Sequence, residues 1–304
     1  MLGKDVIKRW VKDYNLPIKI YQEPYFSYLV DLYDDYFNTH AKLELLKEAV
    51  AKFESEDKFL AHYYEVRDKV IKSMKSKQEF QDFNTGDITK FNITSSYPKN
   101  DIYKQTCVDK YFVSIDLVKA NYQALKYISP EIVSNTNSYE EFIGLFTNLE
   151  YMAKSKYLRQ VIFGNINPKR QIKVERYLIE QVIDTLLAGE LFTEEDIQMA
   201  SSDEVVFEIS VDDVAKFSDE TANLTKFIKD NLNIDVDIEV FKLVSVEGKY
   251  YSKEFLNKDG YELKSVPQVY FPQVYKKYNG LELHDNDLVF YHEHQLAKFI
   301  NPVF

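Results

Sequence analysis

Cysteine is almost missing from this chain: Cys107 is the only one in 304 residues. That excludes an intramolecular disulfide and any cluster built on several thiolates. Glycine and proline are also scarce, at 8 residues each, so the chain has few irregular connections and does not have the composition of a disordered segment. No apolar run approaches the ~20 residues of a membrane span. The opening Met1-Leu2-Gly3-Lys4-Asp5 is charged too early for a signal peptide. A lone thiol with no secretory leader points to the cytoplasm and to no membrane partner. Positive charge is in deficit as well: 38 Lys and Arg against 49 Asp and Glu leave a net charge of -11. This argues against a protein that coats nucleic acid along its whole surface, and any polyanion site must be a local cluster of cations. Neither a glycine-rich phosphate loop nor a Gly-x-Ser-x-Gly elbow is present, which sets aside P-loop hydrolysis and α/β-hydrolase chemistry.

What the chain does have is apolar and aromatic residues, 45% hydrophobic with 24 Tyr and 21 Phe, in patterns that read as an α+β fold. Residues 1–80 carry helical stripes, among them Tyr25, Tyr28, Leu29 and Leu32, then Phe59, Tyr63, Val66 and Val70. They predict a helical N-terminal lobe. The pattern breaks over 81–106, which reads as a linker. From 107 to 251 strand-like and helical segments alternate. Tyr111–Ile115 forms a strand ending at Asp116, with a helix over Leu117–Tyr127; Ser138 with Glu141 caps a helix; a basic segment over 151–188 is helical with a break near Gly164. Thr193 with Asp196, and Ser210 with Asp213, mark further helix starts. Ile234–Val240 alternates as a half-buried strand. Residues 252–304 form a mixed extension.

The chemistry gathers at two acidic points. Asp116 closes an apolar strand, and Asp203-Glu204 head the run Val205-Val206-Phe207. A turn lifting Asp203 and Glu204 between two short strands holds both acids at a sheet edge. There they suit a hard cation such as Mg²⁺ or Mn²⁺, which takes one or two carboxylates plus phosphate oxygens. Between these points lies the densest basic stretch: Lys154, Lys156, Arg159, Lys169, Arg170, Lys173 and Arg176. On a helix Lys156, Arg159 and Phe163 share a face, offering two cations to a triphosphate and a ring to a base. His292-Glu293-His294 lacks a third ligand nearby and reads as structural, as do Asp285 and Asp287.

In this order the segments Ser114–Asn121, Lys156–Gly164 and Ser202–Glu208 resemble motif A, the nucleotide-binding O helix and motif C of family A DNA polymerases. The resemblance covers about residues 111–230 and implies a polymerase-like palm with an antiparallel sheet. It implies that Asp116 and Asp203 hold catalytic metals, with Glu204 in support and the Leu117 carbonyl assisting. Arg159 and Lys156 then face the incoming triphosphate, Phe163 flanks the nucleotide and Asn121 takes the sugar-selecting position. Several residues depart from the family pattern. Ser202 replaces a histidine, Arg159 a lysine and Asn121 a glutamate, while Asn167-Pro168 stands where a tyrosine is usual. The function implied is a compact nucleotidyltransferase, its small size suggesting a viral or mobile-element origin, that joins nucleoside triphosphates to a 3′-hydroxyl on primer-template or single-stranded nucleic acid. The alternative is a catalytically inactive relative that binds nucleic acid or a protein partner.

Overall fold

The computed structural model describes residues 2–293 and 295–303. Helices α1 (Lys4–Asp13), α2 (Tyr25–Leu32), α3 (Asp34–Phe37), α4 (Thr39–Val50), α5 (Glu56–Lys75) and α6 (Gln78–Thr85) come first. Strand β1 (Tyr111–Leu117) leads into α7 (Ala120–Ile128), then α8 (Tyr139–Gly144), α9 (Glu150–Lys154), α10 (Lys156–Gly164) and α11 (Pro168–Ala188). The hairpin β2 (Ile197–Ala200) and β3 (Glu204–Ile209) precedes α12 (Val214–Leu232), β4 (Val236–Val246), β5 (Tyr250–Phe255) and β6 (Tyr261–Lys264). Helix α13 (Phe271–Tyr278) and the hairpin β7 (Val289–His292), β8 (Gln295–Lys298) end the chain. The protein is thus α+β with an antiparallel sheet. No helix among the described residues is long and apolar enough to cross a membrane.

Backbone packing divides the chain into two units, each assembled from separate stretches: Met1–Lys75, Thr136–Ile166 and Val266–Phe304 form one, Ser76–Asn135 and Asn167–Ser265 the other. These limits differ from those expected at 80, 106 and 251. The expected linker 81–106 contributes Phe83, Phe91 and Ile102, all buried, to the second unit. Their apolar side chains are spaced too irregularly to announce themselves as one element. The expected C-terminal extension is divided at Val266. Its first part completes the sheet with β5 and β6, and the remainder, from Val266 on, joins the helical unit.

In the helical unit the buried Asp13 carboxylate accepts hydrogen bonds from Tyr63 Oη (2.7 Å), Tyr151 Oη (2.6 Å) and Ser155 Oγ (2.8 Å). Burial raises its pKa, and the three hydroxyls offset part of that. Ser155 is also the N-cap of α10, accepting from Leu158 N at 2.9 Å. The start of α10 is therefore fixed to α1, α5 and α9 through one carboxylate. Asp287 is fully buried, paired with Lys276 at 2.9 Å and bonded by Tyr28 Oη, so the second acidic turn is structural, as its sequence suggests. Exposed His292 lies on β7; His294 falls outside the described residues.

The second unit carries a six-stranded sheet in the order β2-β3-β1-β4-β5-β6, with all neighbours antiparallel. Strand β1, helices, the β2-β3 hairpin, α12 and β4 reproduce the β-α-β-β-α-β order of a split β-α-β sheet, with β1 and β3 at its centre. That topology hosts unrelated functions, so the site decides the function. Alternation explains how the sheet folds. Val113, Ile115 and Leu117 share one face with Val205, Phe207, Val236, Ile238 and Val240, all buried on the side of α11 and α12. The opposite face is apolar at one end, where Phe112, Val206, Phe241 and Leu243 pack with Ile102 and Cys107.

Candidate active site

The other end of that second face is acidic, and the register shows why. Residues directly opposite in an antiparallel ladder point to the same side, with Cβ atoms about 5 Å apart. Asp116 on β1 lies opposite Glu204 on β3 and Asp237 on β4, so three carboxylates form one row across the three central strands. One row inward, Ser114 lies opposite Val206 and Glu239. Buried Ser114 Oγ donates to Glu204 Oε1. Glu239 is paired with buried Lys253 at 2.5 Å and with Lys258 at 2.7 Å; the Lys253 ammonium also sits over the Phe241 ring at 4.4 Å. Burial alone would raise the pKa of Glu239, but the two lysines outweigh it and hold the carboxyl below its usual range.

Asp203 completes the cluster from the hairpin. The expected two-acid turn is corrected in one respect. The turn comprises Ser201–Asp203 between β2 and β3, and Glu204 already belongs to β3, which runs unbroken to Ile209. Its alternation places Val205, Phe207 and Ile209 on the helix side and Glu204, Val206 and Glu208 on the other. Ser201 holds the turn. Its Oγ accepts from Glu204 N at 3.0 Å, and the Ser201 and Ser202 hydroxyls each donate to Asp203 Oδ1 at 3.1 Å. The Asp203 carbonyl accepts from Leu117 N at 2.8 Å, which ties the turn to the residue after Asp116.

Beyond β1 the chain turns sharply. The expected helix from Leu117 begins only at Ala120, because Leu117 remains in the ladder opposite Val236 and Lys119 adopts a left-handed conformation (φ 53°). Gln123 on α7 donates to the carbonyls of Val118 and Asp235 and accepts from Asp235 N at 2.7 Å, clamping the acidic end of β1 to β4. Asn121 is half-buried at the head of α7, with Oδ1 accepting from Tyr122 N.

The electrostatic consequence falls on Asp116. Although part of its surface is open to solvent, desolvation and then the charges of Asp203, Glu204, Asp237 and Glu239 push its carboxyl up to about 7. Buried Glu175 on α11 is likewise pushed up to about 7, by burial first and then by the charge of Asp203. Among the described residues no three ligand-type side chains are gathered tightly enough to cage an ion by themselves. What is present is an all-oxygen donor set whose mutual repulsion a hard divalent cation relieves, the composition that suits Mg²⁺ when phosphate oxygens complete its shell.

This carboxyl leaves a signature in stability. It titrates at 3.8 in its unperturbed state and near 7 when folded. Between those values the folded chain holds more protons than the unfolded chain, so stability falls as pH rises across that window. Asp116→Asn removes the penalty. Its melting temperature is expected to match wild type near pH 4 and to exceed it at pH 8 by roughly 1–3 °C. Thermal melts at the two pH values check this.

Sequence reasoning missed Asp237, Glu239, Lys253 and Glu175. The first two are visible as the polar face of the alternating strand 236–240; Glu175 is visible as a charge on the apolar stripe of α11. The expected nucleotide-binding residues divide. Lys156, Arg159 and Phe163 belong to the helical unit, while the acids belong to the sheet unit. Lys156 is exposed and Arg159 half-buried, with its guanidinium 5.7 Å from the Tyr139 ring centre. Phe163 is fully buried against Tyr139, so its ring fills the core instead of flanking a nucleotide. In the sheet unit Lys169, Lys173 and Arg176 lie on α11, where their side chains form no salt bridge among the described residues and the charge of Lys173 acts on exposed Asp87. No family model, curated protein or solved structure matches this chain.

Proposed function

We propose that this protein is a metal-dependent nucleotidyltransferase resembling a compact family A DNA polymerase, which transfers nucleoside monophosphates from triphosphates to a 3′-hydroxyl. The observation that carries the reading is the pairing register, which sets Asp116 opposite Glu204 and next to the Ser201–Asp203 turn. Asp116 and Asp203 bind the cations, and Glu204, held by Ser114, supports them. Bound divalent ions would lower the pKa of the attacking hydroxyl and neutralise charge on the departing pyrophosphate. Ser201 and Ser202 orient the Asp203 carboxylate, and Gln123 keeps the strand end rigid, which matters because phosphoryl transfer depends mainly on positioning and electrostatics. By the same resemblance, Asn121 replaces the usual sugar-selecting acid.

A second reading, a catalytically silent relative that binds nucleic acid or a protein partner, draws on the buried ring of Phe163 and the departures at Ser202, Asn121 and Asn167. Terminal-transfer and primer-extension assays with Mg²⁺ or Mn²⁺ separate the two. Incorporation by wild type supports the enzyme. Binding with a strong salt dependence but no incorporation supports the silent relative.

A further inference from the structure

Two adjoining cavities lie in the sheet unit, and one of them reaches the turn that carries Asp203. The first, about 320 Å³, is lined by Ile93, Tyr97, Lys99 and Ile183 and reaches Ser201 and Ser202, the residues that precede Asp203. The second, about 510 Å³, is lined by Phe91, Asn92, Ile172 and the cations Lys169 and Lys173. Ile93 and Arg176 line both, so the two form one groove along α11. Lys169, Lys173 and Arg176 recur at i, i+4 and i+7, on one face of the helix. Other cations of the unit are already engaged: Arg170 with the Gly86 carbonyl, Lys110 with Glu208, Lys242 with Asp109. In a chain of net charge -11, a row of three cations that form no salt bridge among the described residues, with only exposed Asp87 feeling the charge of Lys173, is the local patch that a polyanion needs.

The groove is roofed. Segment 93–99 crosses α11 and is pinned by Glu180, a buried carboxylate that accepts from Thr94 N at 3.0 Å and Ser95 N at 2.9 Å. Pro98 adds a carbonyl that accepts from Ala200 N at 2.7 Å, fastening the same strap to the edge strand β2. From the strap itself half-buried Tyr97 lines the first cavity together with Ile93, and Ile183 lines it from α11. The first cavity lies at the lower end of the small-molecule range, a size for one nucleotide and too small for a base pair.

We propose that this groove takes a single strand of nucleic acid. The α11 cations and Lys99 follow its phosphates, and the terminal nucleotide is held on Tyr97 beside the Ser201–Asp203 turn. The inference rests on the nucleotidyltransferase reading and narrows its substrate from a primed duplex to an unpaired 3′ end. A ring for stacking next to cations for the backbone is the pairing that single-strand sites use.

Fluorescence anisotropy of a fluorescein-labelled single-stranded oligothymidylate, in EDTA and across a salt series, tests it. Removing three phosphate contacts in Lys169→Gln/Lys173→Gln/Arg176→Gln is expected to reduce the log-log salt slope by about 2 and the affinity by roughly 100-fold at 0.1 M salt. Tyr97→Ala is expected to weaken binding by roughly 10-fold. The blunt-ended duplex of the same sequence is expected to bind more weakly than the single strand. An unchanged salt slope in the triple variant, a duplex that binds as tightly as the single strand, or complete displacement by an equal phosphate concentration of inorganic triphosphate overturns the proposal. Strand binding without incorporation leaves the groove standing and removes the enzyme. Incorporation with binding that ignores the stripe does the reverse.

Discussion

Asp203→Asn is expected to lower nucleotide incorporation by at least about 100-fold, the scale on which single electrostatic groups act in a preorganised site. Asparagine has the shape of aspartate and keeps an oxygen for the Ser201 and Ser202 hydroxyls, which now meet Asp203 Oδ1 at 3.1 Å. The Leu117 N bond to the residue 203 carbonyl involves only backbone and survives. The turn therefore keeps its geometry and loses only its charge, so the melting temperature stays close to wild type while activity falls. Incorporation of a labelled nucleotide onto a 3′ end, measured beside a thermal melt, gives both numbers. Undiminished incorporation in the variant would remove Asp203 from the chemistry.

The second large effect is on folding. Phe207 is fully buried on β3, stacked on Phe192 with ring centres 4.0 Å apart, and Phe192 is stacked in turn on Phe217 of α12 at 4.8 Å. Phe207→Ala leaves a cavity at one end of this three-ring column, at the junction of hairpin and helix. The expected cost is about 3–5 kcal/mol, a fall of roughly 6–15 °C in melting temperature. Phe207→Leu, which retains most of the volume, is expected to lose less than half as much. Because the same strand begins at Glu204, loosening it also displaces the acidic row. Chemical denaturation of both variants measures the difference; an alanine variant within about 1 kcal/mol of wild type would mean that the column does not hold the hairpin.

The elements legible in the sequence are those with a strict local period. The strand read at Tyr111–Ile115, the caps at Ser138, Thr193 and Ser210, and the half-buried strand read at Ile234–Val240 follow from an apolar run, from side-chain oxygens at helix starts and from alternation, though the strands themselves span Tyr111–Leu117 and Val236–Val246. The acids Asp116 and Asp203 are legible because a carboxylate at the end of an apolar strand is conspicuous. Pairing partners are not, since nothing local to Asp237 says that β4 lies beside β1 and not at an edge. The β2 strand is hidden for a related reason: only Ile197–Ala200 pair, with an irregular register between Ile197 and Met199, too short a run to show a period. Phe163 misleads because an amphipathic helix presents an aromatic residue in the same pattern whether it faces a ligand or a core. The unit boundaries are illegible because each unit is stitched from separate stretches, and contact between distant segments leaves no mark in composition.

The central claim is that Asp116 and Asp203 form one cation site. Titration of Mn²⁺ into wild type, Asp116→Asn, Asp203→Asn and the double variant, monitored by the loss of the free-ion paramagnetic resonance signal, tests this most directly. If the two carboxylates share an ion, each single variant weakens binding by at least about 10-fold, and the double variant is little worse than the poorer single, the non-additivity of groups that act on one ligand. Wild-type affinity in either single variant, or losses that simply add, would contradict it.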